Sequence, residues 1–77
     1  MANTYWEKLG IERRKRIVAF IESYTREHGW PPSYREICAG VGLKSVSTVK
    51  LHLERLRRDG VIVTNGRNAR SIRVVDR

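Results

Sequence analysis

SVSTVKLHLERLRRDG, residues Ser45–Gly60, places an apolar side chain at every third or fourth position. At about 100° per residue, Val46, Val49, Leu53 and Leu56 form one stripe, the period of a helix packed against a core. The opposite side gathers Ser47, Leu51, Arg55 and Arg58, with Thr48 and Lys50 on its two flanks. A helix face that meets only water usually interleaves Glu and Lys. This face presents hydroxyls, cations and one bare leucine instead, so it is predicted to meet a partner.

The elements on either side follow from local signals. Ser45 or Ser47 caps this helix, and the preceding "GVGL", with Gly40 and Gly42, reads as a tight turn. Before the turn, Ser33 and Glu36 have the spacing of a capping box and open a short helix whose apolar side is Ile37 and Val41. Upstream again, "IERRKRIVAFIESYTREHG" carries Ile17, Phe20, Ile21 and Tyr24 at i, i+3, i+4 and i+7. Gly29 and then Pro31-Pro32 end that first helix. Residues 1–10 read as a separate lead, either a short helix or a loose arm, with Tyr5, Trp6 and Leu9 as apolar anchors and Gly10 as its boundary. Residues 11–77 form the domain proper. Past Gly60 the period changes from 3.6 to 2. "VIVT" and "SIRVV" flank "NGRNAR", a hairpin pattern with Asn65-Gly66 as turn chemistry and a mobile tip. Three helices followed by a two-stranded β-hairpin give a small α+β, mainly helical domain: a winged helix-turn-helix.

Composition narrows the partner. The 77 residues carry 16 Lys and Arg against 8 Asp and Glu, a formal charge of +8. A surplus this large on so short a chain suits a polyanion, and such a chain leaves little room for an enclosed substrate cavity. One cysteine, Cys38, excludes an internal disulfide and fits a reducing cytoplasm. No apolar run approaches the roughly 18 residues of a membrane span, and no secretory signal pattern opens the chain. His28, His52 and Cys38 lack metal-ligand spacing, and neither a glycine-rich phosphate loop nor a paired-carboxylate set is present. No enzyme, metal, cofactor or small-molecule ligand is expected.

Double-stranded DNA is the expected partner. A helix fits the major groove, and residues in its first half reach base edges. Ser45, Ser47, Thr48, Lys50 and Leu51 occupy that half. Capping also accounts for the two serines, so the roles compete only at Thr48, Lys50 and Leu51. A lysine reaches guanine N7 and O6, and an apolar tip packs on a thymine methyl. The alternative for Leu51 is an oligomer contact. Arg13 to Arg16 open helix one, where cations oppose the helix dipole; a nearby phosphate would offset that. Ser33, Tyr34 and Arg35 begin helix two, where free backbone N–H groups suit a phosphate. Lys44 and Arg55, with Arg67, Arg70 and Arg73 of the hairpin, complete the expected backbone contacts.

The stretch "GWPPSYREICAGVGLKSVSTVKLHLERLRRDGVI" resembles the DNA-binding domain of the LexA repressor family. Gly-aromatic-Pro-Pro-Ser, Arg-Glu-Ile, Val-Gly-Leu, Ser-x-Ser-Thr-Val, His-Leu and Gly-Val-Ile all match one branch of it, and "ARSIRV" extends the match over roughly Arg13 to Val75. The resemblance implies a cytoplasmic winged helix-turn-helix repressor of the SOS response, bound as a dimer to inverted-repeat operators. Ser45, Ser47, Thr48, Lys50 and Leu51 fall where that family reads bases. Arg13, Ser33, Arg35 and Arg70 fall where it holds the backbone or supports the wing. Lys50 and Leu51 stand where that branch usually has His and Gly, so its operator is not carried over. The family's second domain, with its cleavage site and Ser/Lys dyad, has no counterpart in these 77 residues. Ala39-Gly40 lies at the end of helix two rather than in a linker, so self-cleavage is not expected. The same missing domain supplies most of the family's dimer contact, and Tyr5, Trp6 and Leu9 bury too little for a stable free dimer, so a monomer that pairs only on DNA is expected. The alternative is a protein-interaction module acting on a LexA-like repressor, polymerase or recombinase.

Overall fold

A computed structural model describes residues 4–64 and 72–75, with side chains from residue 7 onward. The order is α1 (Thr4–His28), α2 (Tyr34–Val41), α3 (Val46–Arg58), β1 (Ile62–Thr64) and β2 (Ile72–Val74). The strands pair antiparallel with Ile62 opposite Val74, Val63 opposite Arg73 and Thr64 opposite Ile72. Val75 N donates to Val61 O at 2.8 Å and extends the ribbon by one more pair. This is the expected winged helix-turn-helix layout. Asn65-Gly66 and the expected mobile tip lie outside the described residues.

Each element ends where its local chemistry requires. Ser33 Oγ accepts from Glu36 N at 3.2 Å, and Ser33 N donates to Glu36 Oε1 at 2.7 Å, closing the capping box. The other oxygen, Glu36 Oε2, accepts from Tyr24 Oη at 2.8 Å and ties α2 to α1. At α3 the cap is Ser45, whose Oγ accepts from Ser47 N at 3.2 Å. Gly42 closes α2 with φ 74°, a left-handed conformation that side chains with a Cβ disfavour.

The core joins one stripe from each element. Ile17 and Ile21 come from α1, Ile37, Cys38 and Val41 from α2, and Val49, Leu53 and Leu56 from α3; Ile62 and Ile72 from the wing complete it. Cys38, absent from the expected apolar side of α2, is buried, and its Sγ donates to Leu43 O at 3.0 Å.

The structure differs from the sequence expectation at the start of the chain. No break occurs at Gly10: α1 runs unbroken for 25 residues from Thr4. One interior glycine costs a helix only about 1 kcal/mol relative to alanine, less than ending the helix and nucleating another. The side chain of Arg14 lies back over Gly10. Arg13 to Arg16 therefore sit more than two turns inside α1. The dipole acts only within the first turn, so the expected opposition between these cations and the helix dipole does not arise.

Gly40 has a role that the turn reading missed. It is helical, and a Cβ there would overlap the Phe20 ring of α1. Alanine would gain about 1 kcal/mol of helix propensity but would overpack the contact by about 1–3 kcal/mol. Gly40→Ala is therefore expected to lower stability in denaturant unfolding, and Phe20→Leu should lessen that loss. A net gain in Gly40→Ala would show that the ring swings aside freely.

Candidate nucleic-acid interface

The face of α3 turned away from the core is open, as its period requires. Leu51 is 71% exposed, well above the other large apolar side chains, and Ser47, Arg55 and Arg58 are exposed beside it. An isolated leucine on a surface is unremarkable in itself. Its position at the centre of a hydroxyl- and cation-bearing face makes it informative. Thr48 is half-buried, and its N–H donates to Ser45 O at 3.2 Å in the first turn.

The two flanks of α3 are occupied by different elements. At about 100° per residue, Lys50 and His52 lie about 160° apart around the helix. On the Lys50 side, Lys50 Nζ stands over the Tyr34 ring, 6.0 Å from its centroid. Lys50, Tyr34, Glu54, Arg57 and Thr64 border an open groove floored by Leu53, so the start of α2 and strand β1 both reach this flank. On the His52 side stands the basic run of α1. Burial holds the half-buried His52 imidazole below its ordinary value of 6.5, and the charges of Arg14 and Arg13 act in the same direction. Arg13 and Arg16 also border a shallow depression with Val41, Gly42 and Leu43, beside the turn that carries Lys44. Cations thus flank the outer face on both sides.

The structure distributes the expected site residues unevenly. Ser45, Ser47, Thr48, Lys50 and Leu51 share the first half of α3, and Tyr34 joins them through Lys50. Ser33 accepts through Oγ and donates through N within its cap, which leaves its hydroxyl proton for a phosphate, while the exposed Arg35 follows it in α2. Arg55 is in an exposed ion pair: its Nε donates to Asp59 Oδ2 at 3.1 Å. Such a pair contributes about 0–1 kcal/mol, little enough for a phosphate to displace. Arg73 is exposed on β2 opposite Val63. Arg67 and Arg70 lie outside the described residues. One residue was overlooked, Arg57, in the same groove as Lys50; the basic run was expected near a phosphate, but not that Arg14 and Arg13 would act on His52. Spacing could have found Arg57, which follows Lys50 by seven residues and so shares its side of the helix. The basic run marks Arg14, but no local signal places it beside His52. Among the described residues no cluster of His, Cys, Asp or Glu is arranged to hold a metal ion, and no helix is long and apolar enough to cross a membrane.

Comparison with known proteins agrees with this geometry. The family model described as the LexA DNA binding domain matches residues 7–71, nearly the whole chain and part of the lead. A LexA repressor of Clostridium botulinum is 42% identical over 69 residues, which is 90% of this chain and 34% of that protein. A LexA repressor of Clostridium kluyveri is 46% identical over 65 residues, 84% of this chain and 32% of that protein. The chain therefore spans about a third of the length of these curated relatives.

Proposed function

The chain belongs to the LexA DNA-binding domain family, and on that premise we propose that it is a sequence-specific repressor reading double-stranded DNA with α3 in the major groove. The observation that carries this reading is the outer face of α3, centred on Leu51 and bordered on both sides by cations. Ser45, Ser47, Thr48, Lys50 and Leu51 are the base-reading set. Leu51 packs on a thymine methyl, and Lys50 bonds guanine N7 and O6. Arg13, Ser33, Tyr34, Arg35, Lys44, Arg55 and Arg73, with Arg67 and Arg70, hold phosphates on either side. These contacts fix register and supply most of the affinity. The residues carry no catalytic role in this reading. The relatives' name, LexA repressor, supports repression and a place in the SOS response; an inverted-repeat operator in a bacterial cytoplasm, occupied by two copies that pair on DNA, completes the proposal on the strength of the family resemblance alone.

Selection of bound duplexes from a random pool tests the proposal directly: one enriched motif is expected, and an unenriched pool would sink it. On the enriched site, Lys50→Ala should cost about 1–3 kcal/mol and relax choice at one base pair. Arg35→Ala should weaken enriched and random duplexes alike. Equal losses on both duplexes for Lys50→Ala would make Lys50 a phosphate contact only.

A further inference from the structure

The groove beside Lys50 holds two cations in different ways. Arg57 Nη2 donates to Glu54 Oε1 at 2.6 Å, an ion pair within α3 itself. Lys50 is in neither this ion pair nor the Arg55–Asp59 pair. Its ammonium instead stands over the face of Tyr34. A ring face is negative and attracts a cation within about 6 Å of the centroid. Tyr34 is well placed to act as a fixed plate. It is the first residue of α2, directly after the doubly bonded Ser33 cap, and its side chain is half-buried against the core. A lysine stem on an exposed helix face otherwise samples many rotamers. A partner fixed by a neighbouring helix removes part of that freedom before binding, and preorganisation of this kind improves both affinity and selectivity.

We infer that Tyr34 is a positioning residue for base reading: its ring holds the Lys50 ammonium to one side of α3 and so sets which base edge the lysine reaches. The inference rests on the proposed reading of DNA by α3. It gives the ring a role separate from any phosphate bond made by the hydroxyl. It also makes sequence choice a joint property of α2 and α3 in this chain.

Three variants test it: Tyr34→Phe keeps the ring face, Tyr34→Leu keeps only the apolar packing, and Tyr34→Leu with Lys50→Ala removes both partners. In the free protein, proton NMR should show the Lys50 ε-methylene shifted upfield by the ring current in wild type and Tyr34→Phe, and not in Tyr34→Leu. On duplex DNA, the readout is the affinity ratio between the selected site and its variant at the Lys50-dependent base pair, which cancels any uniform loss from a phosphate bond. That ratio should fall by about two- to five-fold in Tyr34→Leu, the size of an exposed cation–π contact. It should stay at the wild-type value in Tyr34→Phe. Ratios at other positions should not move, and in the Lys50→Ala background Tyr34→Leu should change nothing further. An unshifted Lys50 in wild type, or an equal fall in Tyr34→Phe and Tyr34→Leu, overturns the positioning role. A ring-current shift in a protein that enriches no duplex motif overturns the DNA reading itself, and the inference falls with it.

Discussion

Raising univalent salt from 50 to 200 mM is expected to weaken duplex DNA binding by about five hundred-fold. Neutralising about five phosphates gives a slope of log K against log salt near −4 to −5, because each contact releases condensed counterions. The charge surplus of +8 is spread over α1, the start of α2, α3 and the wing. Five is well below the 16 cations available for a physical reason. Arg55 and Arg57 already bond Asp59 and Glu54, so a phosphate there replaces an acid instead of adding a new contact. Binding titrations at four or five salt concentrations check the slope. A slope flatter than about −2 would exclude contact from several elements at once. It would favour apolar docking on another protein through Leu51, which salt barely affects.

Ile37→Ala is expected to lower folding stability by about 2–5 kcal/mol, the usual range for emptying a fully buried aliphatic site. Ile37 is 0% exposed, and α2 is only eight residues long, held by Ile37, Cys38 and Val41. A helix that short has little stability of its own. A 77-residue domain has roughly 4–12 kcal/mol in total, so the loss is a large fraction and should lower Tm by about 10 °C or more. Circular dichroism during thermal and urea unfolding reads this directly. Well below the new Tm, DNA affinity should stay near wild type, because Ile37 meets the core and not the partner. A loss under about 1 kcal/mol would mean that α2 is not docked on α1 and α3 through this residue.

Most of the fold was legible in the sequence because its signals are local. The apolar stripe of α3 needs only the 3.6-residue period. The Ser33–Glu36 box needs only its spacing, and the stop at Gly29 needs only a residue that tolerates φ 82°. The one misplaced boundary, at Gly10, shows the limit of such signals. A glycine weakens a helix by an amount that a long helix absorbs, so its presence does not by itself mark an end. The dipole argument about Arg13 to Arg16 failed with that boundary.

The sequence alone determined the charge surplus, the three helices and the wing, and the outward face of α3 with Leu51 at its centre. Each depends on composition or on residues no more than a few turns apart. Only the tertiary structure decided what stands beside that face. Lys50 and Tyr34 are sixteen residues apart, and Arg14 and His52 belong to the first and third helices. Gly40 opposite Phe20 is likewise a contact between helices. Such pairs are set by how the helices cross once their apolar stripes interlock, and that depends on the combined shape of ten core side chains. No single period or cap encodes it, because close packing is a property of all the core residues together.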